Sequence, residues 1–546
     1  MYIDTAPIKA NGKTYFRHLI RTSYRENGKV KHKTIANLSS CSPDEIQAIK
    51  LALKHKSDLS SLVSIKDIES VLQKRIGAVW TLNTIAQRLG ITKALGSDTQ
   101  AKLALLQVFA RIIDQGSRLS AVRFAKRHAV CELIGINKLN EDDLYENLDW
   151  IADNQEKIEK KLFTLRFPNI VPTLFLYDVT SSYVEGTCNE LAAFGYARDG
   201  KKGKMQIVVG LLTGPDGSPI AVRVFQGNTQ DPKTVSEQVR ILAENFGVKE
   251  VTLVGDRGML KGPQIDALPN DFRYITAITK PQIRTMLSEG ILQYELFTED
   301  ICEVQQDGVR YIMRRNPLRA EQIAQTRRHK FNTLDKMATD LNKYLADHLK
   351  ASVDVAIKKV ITKARKLVID RWVNIFARER SIHVEKDDAA LSSVSLLDGC
   401  YVIKSDVPQA NADAQILHDR YCDLEKVERA IRTMKTTHLE LRPVNVRKEK
   451  STRGHVFVVM LALLLQRELE ACWTEFDITV KEGIDELSSI RIEEMHIGNI
   501  SFQKIPTPDT FGQKLLNALH VQLPSTLKLR NAHVHTKKTL PSERIP

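Results

Sequence analysis

The sequence predicts a multi-domain α/β protein, with a mixed sheet flanked by helices, an inserted domain and a mainly helical N-terminal region. Three observations lead to this prediction. The 546 residues are too many for one hydrophobic core. Residues 43–165 follow a helical pattern in which Gly and Pro are scarce. Beyond Pro168, short apolar runs alternate with turn signals and a helical stretch, which is typical of a sheet covered by helices.

Composition and charge indicate a globular protein with a polyanionic partner. The chain is 42% hydrophobic and 27% charged, which excludes a disordered protein. Its net charge of +14 favours nucleic acid as the partner, although a solvated basic surface would give the same value. The seven cysteines form no CxxC pair, so we expect reduced thiols in the cytosol rather than disulfides or a zinc site.

No membrane association is expected. The N-terminus lacks an apolar signal segment. The longest apolar run, residues 456–465, is half of the roughly 20 residues that a bilayer span needs. This run therefore predicts a buried helix.

Two units are predicted before the sheet. Residues 14–38 alternate apolar and polar side chains around Asn27-Gly28, a strong hairpin signal, and define an N-terminal hairpin unit at 1–42. Residues 43–165 are interpreted as a helical, candidate DNA-binding region. Within them, residues 82–91 read as a helix followed by a Gly90 turn. A helix-turn-helix and a helical hairpin in a bundle explain this pattern equally well.

Residues 166–280 carry the element order of a catalytic core. A helix is predicted at 231–246, and strands are predicted at 173–177, 205–213, 219–225, 251–255 and 272–279. Three strands, a helix and a further strand form the order of an RNase H-like core. The first predicted strand ends on Asp178, and the fourth ends on Asp256.

The stretch at 281–398 does not fit this core and is predicted to be an insertion domain. It begins with a hairpin around Asp307-Gly308 and continues with a long charged helix at 318–349. A second part of the core is expected at 399–480, with a helix at 414–437. The C-terminal region at 481–546 has no clear pattern and is expected to be partly mobile.

Three acids, Asp178, Asp256 and Glu428, are the candidate catalytic residues. Each has an ordinary structural explanation, as a strand-end cap, part of an Asp-Arg-Gly turn and an exposed helix charge, respectively. However, acids that end buried strands are costly to desolvate unless they bind something positive. Brought together from distant parts of the chain, these three carboxylates predict a site for hard divalent cations.

The helix that carries Glu428 places two further side chains in phase with it. Positions seven apart differ by only about 20° around a helix, so Tyr421, Glu428 and Lys435 are predicted to form one stripe. An apolar stripe beside it is predicted to pack the helix on the sheet, and consists of Leu424, Val427, Ile431 and Met434.

These features resemble the DDE transposases of bacterial insertion sequences, of the insertion-sequence-four type. That family has a Tyr-x2-Arg-x3-Glu-x6-Lys signature, which Tyr421, Glu428 and Lys435 match, while Leu424 stands in place of the usual Arg. Four other stretches are in the style of a subgroup: 178–186, 195–200, 226–231 and 441–444. The likeness covers residues 14–470, and it also implies an insertion between the second and third acids, here 428 − 256 = 172 residues apart.

The resemblance implies a transposase that cuts at the ends of an element and joins them to target DNA. Two Mg²⁺ ions are expected, with Mn²⁺ able to substitute. By hypothesis, Asp178 bridges both ions, while Asp256 and Glu428 each complete one coordination shell. The expected location is the bacterial cytoplasm, on the nucleoid when the protein is bound to DNA.

The expected partner is double-stranded DNA, both the terminal inverted repeats and the target, bound by a dimer in a synaptic complex. Tyr421 and Lys435 are expected to hold phosphates near the scissile bond, with Arg257 and Arg442 as further candidates. Two alternative functions would depend on the same candidate residues or on only some of them. One is an RNase H-like nuclease without strand transfer, and the other is a non-catalytic DNA-binding regulator, against which the intact acid triad argues.

Overall fold

The protein is described by a computed structural model that covers residues 1–10, 12–57, 68–436, 439–497, 500–527 and 532–536. The N-terminal part is a three-stranded antiparallel sheet of β1 (Tyr2–Ala10), β2 (Lys13–Glu26) and β3 (Lys29–Asn37), followed by α1 (Pro43–Lys54). The predicted hairpin is present, because β2 pairs with β3 and the two turn residues between them have positive φ values. Asn-Gly suits these left-handed positions.

A helical region follows and surrounds much of the largest hydrophobic cluster. Its elements are β4 (Ile68–Arg75), α2 (Gly77–Arg88), α3 (Ile91–Leu95), α4 (Thr99–Ile113), α5 (Arg118–Arg127), α6 (Val130–Ile134), β5 (Lys138–Leu139) and α7 (Glu141–Arg166). The candidate helix-turn-helix comprises α2 and α3. A recognition helix needs an exposed face to enter a groove. Since α3 has only five residues, three of them buried, the structure favours the helical bundle.

The central sheet contains an RNase H-like core. Its elements are β6 (Leu174–Tyr183), β7 (Gln206–Thr213), β8 (Pro219–Gln226), α8 (Asp231–Arg240) with a π-helical turn (Ile241–Asn245), β9 (Val251–Gly255), α9 (Gly262–Asp266) and β10 (Phe272–Ala277). The strand order is β8-β7-β6-β9-β10, with β6 antiparallel to β7 and parallel to β9. This mixed sheet confirms the predicted fold class.

The end predicted for the first strand is wrong. β6 continues beyond Asp178 as far as Tyr183, because β7 pairs with it over its whole second half, up to Tyr183 opposite Gln206. Asp178 therefore lies within a strand, where it is paired with Leu211 of β7. Asp256, in contrast, directly follows β9 as predicted.

The stretch predicted as one insertion is divided in the structure. Its elements are α10 (Lys280–Ser288), a 3₁₀ turn (Tyr294–Leu296), β11 (Cys302–Gln306), β12 (Val309–Arg315), α11 (Pro317–Asp347), α12 (Val353–Leu367), β13 (Val373–Arg378), β14 (Ser381–Lys386) and α13 (Asp388–Ser395). The hairpin β11–β12 extends the central sheet by pairing with β15 (Cys400–Ser405). The helices α11 and α12 and the hairpin β13–β14 instead share a separate hydrophobic cluster around Leu334 and Val360.

The remaining elements return to the core and to the helical region. They are α14 (Ala414–Cys422), α15 (Leu424–Lys435), α16 (Glu449–Cys472), α17 (Val480–Leu487), β16 (Arg491–Ile497), β17 (Ile500–Lys504), α18 (Thr510–Ala518) and β18 (His533–Val534). The predicted buried helix is α16, whose residues 456–465 are all buried. Within the described ranges, no helix is long and apolar enough to cross a membrane. The mobile tail was predicted for residues that include 537–546, which lie outside the described residues, and the predicted unit boundaries stay predictions.

Candidate active site

Asp178 and Asp256 lie side by side on the two central parallel strands. In the register of β6 and β9, Tyr177 is opposite Gly255, and each acid is the next residue along the chain. Neighbouring strands are about 4.8 Å apart. The buried runs that precede both acids therefore fix them at one level of the sheet.

The charges of the other two predicted acids act on Asp178. The pKa of Asp178 is raised to about 6, mainly by burial and also by the nearby charges of Glu428 and Asp256. The Val179 backbone N–H, 2.7 Å from Oδ1 of Asp178, and the Arg198 guanidinium act in the opposite direction. A carboxyl group surrounded by other carboxylates in a poorly solvated place is one that a bound cation would stabilise.

Glu428 reaches the site from α15, which packs against β6 and β7. The four residues of the predicted apolar stripe are all buried, whereas Glu428 is exposed at the edge of that face. The periodicity of the sequence thus gave the correct orientation for this helix, because burial of one apolar face fixes which side the charged residues occupy.

Tyr421 does not share a continuous helix with Glu428, and this part of the prediction is wrong. The helix predicted at 414–437 is two helices, α14 and α15, which meet at Asp423. Asp423 itself keeps right-handed helical φ and ψ values of −59° and −15°. Tyr421 nevertheless lies near the acids. Burial raises the pKa of its hydroxyl group, the charges of Asp256 and Glu428 also raise it, and the charge of Arg257 lowers it.

Lys435 and Arg442 are both ion-paired with Asp199. The Lys435 ammonium pairs with Asp199 and donates a hydrogen bond to Oγ1 of Thr180 at 2.8 Å. Nη1 of Arg442 lies 2.6 Å from Oδ1 of Asp199, whose other oxygen accepts from the Tyr183 backbone N–H at 3.1 Å. Burial lowers the pKa of Lys435, and Asp199 opposes this effect. Asp199 therefore links the end of α15 to β6.

Sequence reasoning also missed a second pair, Arg198 and Asp231. Nη2 of Arg198 donates to both carboxylate oxygens of Asp231. A Cβ placed on Gly258 would lie 3.8 Å from Oδ2 of Asp231 and 3.8 Å from Oδ2 of Asp256. Asp231 is therefore a fourth acid beside the predicted three, and Arg198 neutralises it.

Two glycines bring this pair together. Gly195 and Gly227 approach so closely that a Cβ on Gly195 would overlap the Gly227 carbonyl oxygen. The buried Gln206 side chain ties the same two loops together by donating to the carbonyls of Tyr196, at 3.2 Å, and Gly227, at 2.9 Å. The available signal was that stretches 195–200 and 226–231 resemble the family, but this resemblance assigned no role to their residues.

An RNase H-like sheet with acids on its central strands and on the helix packed against them defines an enzyme of phosphodiester chemistry. The chain belongs to the DDE transposases, because the model of the transposase DDE domain matches residues 170–465, more than half of the chain. The model of the IS1634 family transposase N-terminal domain matches residues 3–63. The insertion-sequence transposase predicted from the sequence is therefore confirmed, while the Tyr-x2-Arg-x3-Glu-x6-Lys signature stays a prediction.

Two further comparisons add little. One similar solved structure is the cryo-EM structure of the piggyBac transposase synaptic complex with hairpin DNA. The two chains are 9% identical, the match covers 75% of each, and the TM-score is 0.37, which is too low to bear on function. A search of the curated proteins finds no match.

Enzymes of this family depend on a divalent metal ion, and the acids offer suitable donors. Carboxylate oxygens are the ligands that Mg²⁺ prefers. Within the part of the chain that the structure describes, no three His, Cys, Asp or Glu side chains are arranged to hold one ion. A two-ion site with one shared carboxylate does not require this, because each ion then needs only two of the three acids and takes water for the rest.

Proposed function

We propose that Asp178, Asp256 and Glu428 are the catalytic acids with which this transposase cuts element ends and joins them to target DNA. The observation that carries the proposal is the position of Asp178 and Asp256 at one level of neighbouring parallel strands, with Glu428 on the helix that packs against β6. It means that acids from two strands and a helix, far apart in the chain, share one electrostatic environment. Structural caps would not need to meet in this way.

The acids would hold two Mg²⁺ ions, with Mn²⁺ able to substitute. Asp178, whose charged form both other acids disfavour, would be the ligand that the two ions share, and Asp256 and Glu428 would each hold one ion. When bound, the ions supply an activated nucleophile and stabilise the leaving oxygen of the phosphodiester. Arg198 keeps Asp231 neutralised and thereby limits the negative charge that incoming DNA meets.

The basic and phenolic groups around the acids are proposed to contact DNA phosphates. Arg257 is exposed beside Asp256, and Tyr421 is half-buried next to both. Lys435 and Arg442 are held by Asp199, so their positive charges are positioned before DNA arrives. Positioning of this kind reduces the entropy lost on binding. The DNA consists of the terminal repeats and the target, and a dimer is proposed to bring two ends together.

A strand-transfer assay tests this function against a nuclease without joining activity. Purified protein is given terminal-repeat DNA that already carries a free 3′-hydroxyl, together with a plasmid target and Mg²⁺. Joined products are expected from the wild type and not from Glu428→Gln. The exposed neighbour Glu425 provides a matched control, and Glu425→Gln is expected to join normally. Cleavage of uncut ends without any joining of pre-cut ends would identify a nuclease instead.

A further inference from the structure

A cavity of about 310 Å³ lies behind the segment that follows the catalytic helix. It is lined by Arg111 of α4, Ser117 and Arg118 at the start of α5, His455 of α16, and Glu440 and Pro443. Arg442, the residue before Pro443, pairs with Asp199 in the active site. The cavity is thus next to the catalytic centre but shares none of the proposed catalytic acids.

Both arginines are buried without a carboxylate partner. Each is only 6% exposed, and neither forms a salt bridge with any residue that the structure describes. Among the residues that the structure describes, Nε of Arg111 and Nε of Arg118 have no hydrogen-bond partner. Burial and, to a lesser extent, the nearby charge of Arg111 lower the pKa of Arg118 to about 9. Two adjacent buried cations are costly unless an anion joins them.

Part of each guanidinium has a structural role. Arg111 donates to the carbonyls of Gln115, at 3.0 Å, and Gly116, at 3.2 Å. Arg118 donates to Nδ1 of His455 at 3.0 Å, which requires that nitrogen to be unprotonated. Burial and both arginines lower the pKa of His455 well below its usual value, so its ring is neutral and offsets none of the positive charge.

The remaining groups around the cavity suit an anion. Ser117 caps α5, a helix of ten residues whose N-terminus carries partial positive charge. Two carboxylates are near, and both favour the charged form of Arg111: Glu440, which is exposed, and Asp114, which accepts from Ser120 and Arg127. The positive charges of Arg111 and Arg118 therefore exceed the one carboxylate that lines the cavity.

We propose that this cavity is a phosphate-binding pocket, with Arg111 and Arg118 as its ligands. Two planar guanidinium groups and a helix N-terminus match the tetrahedral oxygens of a phosphate. The ligand is either a phosphate group of a DNA strand that crosses residues 440–446 on its way from the active site, or free inorganic phosphate. The DNA source rests on the proposed function, whereas the pocket itself does not.

The first measurement concerns the pocket alone. In the Asp256→Asn background, inorganic phosphate is expected to raise the melting temperature above that in chloride of equal ionic strength, because it binds only the folded state. Arg118→Gln is expected to lose this gain. Arg127→Gln, which removes a charge from the exposed end of the same helix, is expected to keep it. A gain that persists in Arg118→Gln would overturn the proposal.

The second measurement distinguishes the two sources. Terminal-repeat DNA binding is measured against salt concentration with the same three proteins. If a DNA phosphate occupies the pocket, Arg118→Gln makes the negative slope of log K against log salt shallower by about 0.9, while Arg127→Gln does not. An unchanged slope together with a phosphate-dependent melting temperature would assign the pocket to free phosphate. If neither measurement shows an effect, the proposed phosphate-binding pocket is wrong.

Arg118→Lys keeps the proposal testable if Arg118→Gln does not fold. Lysine retains the charge but not the forked geometry, so part of the phosphate response is expected to remain. A full response or none at all in a folded Arg118→Lys protein would contradict a guanidinium ligand. Because both measurements use binding in a protein that lacks Asp256, they stand or fall separately from the catalytic assignment.

Discussion

Lys435 is ion-paired with Asp199, a carboxylate that is almost wholly buried, and this pair connects the end of the catalytic helix to the first strand of the core. Lys435 therefore has two roles to separate. It holds α15 on the sheet, and it is proposed to contact DNA. A single variant can distinguish them, because fold stability and DNA affinity respond to different measurements.

Lys435→Ala is expected to weaken DNA binding and to make its salt dependence shallower by about one charge. It should also destabilise the protein by about 1–3 kcal/mol, since Asp199 keeps Arg442 but loses one charged hydrogen bond. Arg432→Ala, an exposed change on the same helix, serves as the control. Binding is measured across salt concentrations, and melting is measured alongside. A lower melting temperature with an unchanged salt dependence of DNA binding would show that Lys435 has only a structural role.

Asp256→Asn is expected to abolish cleavage while leaving DNA binding intact. Loss of one metal-binding carboxylate should remove about 4 kcal/mol of transition-state stabilisation, or about a thousandfold in rate. Asp271→Asn, an exposed change near the start of the neighbouring strand, is expected to cut normally. Cleavage of labelled terminal-repeat DNA with Mg²⁺ is the measurement. A fully active D256N protein would rule out the catalytic assignment.

Local features could be predicted from the sequence because their signals are local. Asn27-Gly28 and Asp307-Gly308 each form the turn of a hairpin, as their residue types require. The buried stripe of α15 follows from its periodicity. The end of β6 was misplaced because an acid interrupts its apolar run at Asp178, whereas the strand is continued by pairing with a partner that the pattern does not reveal.

Contacts between distant parts of the chain could not be predicted. Asp199 meets Lys435, and Arg198 meets Asp231, only because the fold brings two loops and a helix end together. No periodicity or spacing encodes such pairs. The break at Asp423 was missed for another reason, since all residues around it have side chains compatible with a continuous helix.

Stability without metal is expected to decrease as pH rises through the titration of Asp178. Its pKa is raised from 3.8 to about 6, so between these values the folded state binds more protons than the unfolded state. The contribution of Asp178 to the free energy of unfolding is therefore fully present below about pH 4. It is lost by about pH 6, which lowers that free energy by up to about 3 kcal/mol. Asp178→Asn removes the effect.

Melting temperatures of wild type and Asp178→Asn in EDTA test this relationship. The variant should be the more stable protein at pH 7, and the difference should shrink towards pH 4. Adding Mg²⁺ at pH 7 should stabilise the wild type more than the variant, because a cation favours the ionised carboxylate. A difference that does not change with pH would show that Asp178 titrates normally.

Replacing Arg198 is expected to move the acid limb of the cleavage–pH profile to higher pH. Arg198 lowers the pKa of Asp178, so Arg198→Ala should raise that pKa further and also leave Asp231 without its cation. Arg198→Lys retains the charge and should shift the limb less. Initial cleavage rates between about pH 5.5 and 8.5 provide the test. If the profile falls in amplitude without shifting, Arg198 acts on structure and not on the acids.

Gly227→Ala is expected to destabilise the protein and to reduce cleavage, although residue 227 touches no catalytic acid. A Cβ there would overlap the backbone carbonyl of Gln206 and crowd that of Ala193, at 2.6 Å, and backbone cannot give way as a flexible side chain can. Overpacking of this kind costs about 1–3 kcal/mol. It would also displace the loop that carries Asp231. Gly262→Ala, where a Cβ meets nothing within 4 Å, is the control and should behave as wild type. Melting temperature and cleavage rate are measured together, and a Gly227→Ala protein as stable as this control would contradict the close packing of the two loops.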